Sequence, residues 1–195
     1  MHQIFIQVSK VAITSTVVAL AGCAGTQAEG FRKMSAADHE RAAQSGGDQE
    51  GVTPGDHLAA AQRLRSAEQF ACVEMPDGAR SLGPFEHRDW IMGVEEVRDR
   101  VFPKQTPQPF GVAVYLRATP GVTEQWISRV IQCHLAHYAV VGVAAADEWC
   151  PLLVNKAKIA VSSTPVGFRI EITSPDIAIA RAVIAKGEAL SPSAS

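Results

Sequence analysis

The stretch KIAVSSTPVGFRIEIT, residues 158–173, decides the fold class. Ile159 and Val161 alternate with polar neighbours, Thr164-Pro165-Val166-Gly167 supplies turn chemistry, and Phe168, Ile170 and Ile172 alternate again. A period of two puts one set of side chains on one face of a pleated strand. The segment therefore reads as a hairpin with Lys158, Arg169 and Glu171 facing water. Upstream, Val112, Val114 and Leu116 alternate within Gly111–Arg117, which predicts another strand. Pro120-Gly121 turns the chain, and Thr123 and Glu124 open a helix with Trp126, Ile127, Val130, Ile131 and His134 on one side. Gly142 is its predicted stop. Downstream, Pro175-Asp176 opens a last helix with Ile177, Ala180, Ile184 and Leu190 as its apolar stripe. The order strand, helix, strand, strand, helix predicts an α+β two-layer sandwich, an antiparallel sheet with helices on one face.

That arrangement resembles ferredoxin-like domains. Ahead of it, Thr53-Pro54-Gly55-Asp56 is a capping-box pattern with proline at the first helical position. Leu58, Ala61, Leu64, Ala67 and Ala71 follow at helical spacing until Pro76-Asp77-Gly78 breaks the chain. Trp90, Ile91, Val94, Val97 and Val101 fit a helix and a strand equally well. Residues 53–190 are expected to form one domain, with a disordered tail at 191–195. Residues 23–52 read as a flexible tether rich in Gly, Ala, Gln and Ser, offering no apolar stripe to the core. Within it Ser35-Ala36-Ala37-Asp38 is a second capping box and Gly46 a stop, so one short helix is expected, marginal by itself.

The amino terminus carries an address. An apolar run of 12 residues, Val11 to Gly22, follows Lys10. It is too short for a spanning helix, which needs roughly 20 residues. It fits the apolar region of a cleaved export signal, residues 1–22. The run ends in Leu20-Ala21-Gly22-Cys23, which resembles the lipobox of bacterial lipoproteins. The resemblance implies cleavage before Cys23, acylation of its thiol and new amine, and a stable membrane anchor. Ala24, where that class uses Asp for inner-membrane retention, implies the outer membrane, with the domain on its periplasmic face. Met34-Ser35 with His39-Glu40, and the Cys133-His134-Leu135-Ala136 run, resemble segments of uncharacterised exported bacterial proteins, which bring no activity with them.

Composition excludes other classes. Hydrophobic residues make up 47% against 19% charged, so the chain as a whole is not disordered. The formal charge of −2 is too mild for electrostatic capture of nucleic acid. The chain contains no GxSxG elbow, no phosphate-binding GxxxxGK[ST] loop, no CxxC and no GxGxxG. His39-Glu40 starts like a zinc-protease helix, but Ala43 stands where the second histidine belongs.

Lipidation of Cys23 leaves Cys72, Cys133 and Cys150, an odd number in an oxidising compartment. One disulfide among the three is expected. Cys133 with Cys150 is the first choice, closing an 18-residue loop, and a Cys72 pairing is the alternative if the first helix lies alongside. The other reading of the same residues is a zinc or copper site built from Cys133, His134, His137 and Cys150, with His87 and Cys72 available to complete it. Buried, reduced thiols are a third. The Trp residues at 90, 126 and 149 read as core or rim packing. The functional expectation is a lipid-anchored, non-catalytic domain that needs no cofactor and binds a protein partner or envelope component. Metal binding or sensing is the alternative. A Cys–His enzyme ranks last, because i, i+4 neighbours on one helix rarely aim at each other as nucleophile and base.

Overall fold

The computed structural model describes residues 33–46, 51–99, 106–144 and 147–191. The signal segment 1–22, Cys23, the first part of the tether, Val101 and residues 192–195 of the tail lie outside them. The elements are α1 (Ala36–Ser45), α2 (Pro54–Ala71), β1 (Ile91–Asp99), β2 (Gln108–Arg117), α3 (Glu124–Val141), β3 (Lys158–Thr164), β4 (Gly167–Thr173) and α4 (Ile177–Glu188). Among the described residues no helix is long and apolar enough to cross a membrane.

The four strands form one antiparallel sheet in the order β1-β2-β4-β3. The hairpin read from residues 158–173 is present, with Thr164 opposite Gly167 and Ile159 opposite Ile172. The segment left open between helix and strand is β1, and its pairing with β2 decides it: Val94 faces Val114 and Ile91 faces Leu116. Cross-strand partners share a face, so Val94, Val114, Ile170 and Val161 form one row, with Val112, Ile172 and Ile159 in the next. Ile127 and Ile131 of α3 and Val183 of α4 close over these rows, and Val114, Ile170, Ile172, Ile127 and Val183 are all fully buried. The opposite face is polar: Tyr115 donates a hydrogen bond to Glu95 at 2.8 Å and Arg169 pairs with Glu171. This is the predicted two-layer sandwich with helices on one face. The chain enters the sheet one strand earlier than the predicted order, as ββαββα.

Two helical stripes are rotated from their predicted phase. In α4 the buried residues are Ala180, Val183 and Gly187, while Ile177 is 44% exposed. The missing side chain of Gly187 lets the helix lie against Val112, where an added Cβ would come within 2.8 Å of a Val112 methyl. In α2 the buried positions are His57, Ala60, Ala61 and Glu68, and Leu58 is exposed. The polar residues His57 and Glu68 turn inward because partners on α1 and α3 satisfy them, the condition for burying a polar group.

The tether expectation is corrected in its described part. Both capping boxes are present, Ser35 with Asp38 and Thr53 with Asp56, and Gly46 ends α1 in the left-handed conformation at φ 61°. But α1 is docked. Ala36 and His39 are buried, Ala36 packs with Ala61 of α2 and Val140 of α3, and His39 Nδ1 lies 2.9 Å from His57 Nδ1. Arg65 of α2 forks onto the Glu40 carboxylate. Residues 36–45 therefore belong to the same compact unit as the residues from 53 onward. A ten-residue helix too short to hold itself is stabilised by the surface it covers. Ala36→Asp, which places a charge at a fully buried site, is expected to cost about 2 kcal/mol or more in urea unfolding. An unchanged midpoint would return α1 to the tether.

Candidate functional site

The cysteine and histidine residues that the sequence grouped are sorted by the fold into three separate places. Cys72, at the end of α2, forms a disulfide with Cys133 in the middle of α3, their Cα atoms 4.7 Å apart. The first-choice pairing, Cys133 with Cys150, is thus incorrect. Successive residues on a helix point about 100° apart, so Cys133 faces α2 while His134 faces the segment carrying Cys150. The Cys150 sulfur lies 3.6 Å from His134 Nε2 and remains a buried free thiol. His137 turns to a third neighbour, its Nδ1 2.8 Å from Glu68 Oε1 on α2.

The proposed metal set is not assembled. Cys133 has no thiolate to offer, His137 and His134 face different elements, and His87 stacks on Trp90 instead. Among the described residues no group of three or more His, Cys, Asp or Glu side chains converges as a metal site would require.

The Cys150–His134 contact has the parts of a nucleophile–base pair but the wrong poise. His134 Nδ1–H donates to the Ser81 carbonyl at 2.9 Å, which leaves the Nε2 lone pair directed at the thiol. Both groups are almost fully buried. Burial pushes the Cys150 thiol up to about 11, with the backbone N–H groups of Leu152 and Leu153 only partly offsetting it. Burial also lowers the His134 imidazole, against the opposing effect of the Ser81 hydrogen bond. The thiolate–imidazolium form that attacks a substrate is disfavoured on both sides. Next to the pair, Tyr138 is raised to about 12 by burial and by a hydrogen bond with Asp147. This is a core contact.

It also carries a pH signature. A histidine with a lowered folded-state pKa takes up protons later than in the unfolded chain, so its contribution is complete above the unfolded value near 6.5 and is lost as pH falls below it. The urea midpoint is expected to fall as pH drops below about 6.5, and His134→Gln should flatten that fall. Identical pH curves for the two proteins would assign the loss elsewhere.

A solvent-open cleft lies on the other side of α3, with a volume of about 340 Å³, within the range of small-ligand sites. One wall is the turn 73–75 and the other is the first turns of α3, with Gln125, Trp126 and Arg129. The turn starts directly after the disulfide, so Cys72–Cys133 fixes that wall to the helix forming the other. Arg129 adds a second tie by donating to the Val73 carbonyl at 2.8 Å, and its guanidinium lies 3.7 Å from the Glu74 carboxylate. Glu74 sits at φ 65°, a left-handed conformation that is uncommon for this residue type, directly after the ties at Cys72 and Val73. Trp126 is 38% exposed and Val73 50%, so the cleft presents apolar surface to water.

Sequence reasoning placed Trp126 in the core stripe and did not single out 73–75. A usable signal existed: Ile127, Val130, Ile131 and His134 already complete a helical face, and Trp126 lies at its margin. No protein-family model, curated protein or solved structure matches the chain.

Proposed function

We propose that this chain is an exported lipoprotein, anchored through Cys23 on the periplasmic face of the outer membrane, whose folded domain binds a ligand and catalyses no reaction. The observation that carries the binding part is the cleft: two walls stapled by a disulfide, with an indole exposed between them. Rigid walls lower the ordering cost of binding. The disulfide also supports export, since such bonds persist in oxidising compartments. The Cys150–His134 pair supports the non-catalytic reading, being buried and held neutral.

Two measurements test the proposal. Intact-mass analysis of membrane extracts is expected to find a lipid-bearing chain that begins at Cys23. A chain beginning at Met1, or an unmodified Cys23, removes the anchor. A photo-cross-linking amino acid in place of Gln125, in cells expressing the full chain, is expected to trap a specific adduct. The same group in place of Val166, at the hairpin turn and outside the cleft lining, should not. Equal trapping at both positions, or none at either, removes the cleft as a binding site.

A further inference from the structure

The groups around the cleft define what it can hold. The Trp126 ring lies 6.3 Å from that of Trp90, tilted by 51°, and His87 stacks on Trp90 at 4.1 Å. Trp90 is thus half-buried between the core and His87, and Trp126 is the indole that faces the cleft. The Gln125 side-chain amide is exposed and makes no hydrogen bond among the described residues. Arg129 is already engaged by the Val73 carbonyl and by Glu74, and Glu74 and Arg129 together leave the lining with no net charge. A phosphorylated or carboxylated ligand would find no spare cation there.

A protein segment also fits poorly. The walls are a turn and a helix flank, so no strand edge is offered for an added strand.

We propose that the cleft binds a neutral polysaccharide chain, an inference that rests on the binding-domain reading above. A pyranose ring presents an apolar C–H face that stacks on an indole, and a rim of hydroxyls that pair with planar polar groups. Trp126, exposed in the cleft wall, supplies the first. The Gln125 amide and the exposed Glu74 carboxylate supply the second. Burying neutral hydroxyls against groups that can pair with them avoids the desolvation cost of a buried charge.

The test uses the full chain solubilised in detergent, with tryptophan fluorescence as readout. Chitotetraose and cellotetraose distinguish chains with and without N-acetyl groups, and co-sedimentation with purified peptidoglycan tests the polymer. At least one of these is expected to bind saturably, with Kd below about 1 mM. Trp126→Ala should weaken binding about tenfold, and Gln125→Ala, at an exposed position, about threefold. Val166→Ala should leave it unchanged. No saturable binding of any of the three, or equal affinity in the Trp126→Ala and Gln125→Ala variants, overturns the inference.

The adduct trapped from position 125 separates this inference from the one beneath it. An adduct removed by a glycan-cleaving muramidase supports polysaccharide binding. One removed only by protease overturns the polysaccharide and leaves the binding domain standing. No adduct removes both.

Discussion

Replacing Cys72 and Cys133 together by Ala is expected to destabilise the domain by about 4 kcal/mol, the loop-entropy value for a sequence separation of 61 residues. That is a large share of the roughly 5–15 kcal/mol that holds a domain of this size. Treatment of the unaltered protein with reductant should move the urea midpoint by a similar amount and leave the double variant unaffected. Cys150→Ala removes a buried thiol but no cross-link, so its loss should be smaller, about 1 kcal/mol. Peptide mapping under non-reducing conditions should recover the segments around Cys72 and Cys133 joined. A Cys133–Cys150 peptide would overturn the pairing, and equal midpoints with and without reductant would show that the bond stabilises nothing. Ligand binding should suffer as well, because the turn 73–75 loses its covalent tie to α3.

Gly111→Ala is expected to cost more than about 4 kcal/mol, in the range where single substitutions abolish folding. Gly111 starts the central part of β2 at φ 156°, and a Cβ there would stand 2.0 Å from the Ile172 carbonyl oxygen and 2.7 Å from the Thr173 Cα. Both obstacles are backbone atoms of β4, fixed by ladder pairing on either side, so they cannot swing away as a side-chain tip would. The comparison is Gly78→Ala, where nothing lies within 4 Å and the change should stay within about 0.5 kcal/mol. Soluble yield and thermal midpoint of the two variants check this. A folded Gly111→Ala protein of normal midpoint would mean that β2 and β4 pair differently.

The features legible in the sequence are those set by residues a few positions apart. Alternation over 158–173 is a property of adjacent residues, and it yields the hairpin and the inward face of Ile159, Val161, Phe168, Ile170 and Ile172. The capping boxes at Ser35 and Thr53 and the stop at Gly46 depend on contacts three or four residues long, which form the same way wherever the helix is placed. What remained undetermined involved partners far along the chain. Val94 and Val97 have no strand preference strong enough to exclude a helix, and it is the ladder to β2 that makes β1 a strand. Residues 36–45 contain no stripe that announces burial, because what docks them is alanine packing and two imidazoles whose acceptability depends on each other.

The cysteine pairing shows the division most directly. With Cys23 read as the lipidation site, three thiols leave at least one unpaired, and the residues alone could not say which. A rotation of about 100° between neighbouring positions on α3 points Cys133 at α2 and His134 at Cys150, so the arrangement of helices made one sulfur a staple and the other a core thiol. The same docking of α2 on α3 opened the cleft at Trp126, since a cleft has two walls and residues 73–75 and 125–129 meet only in the folded chain.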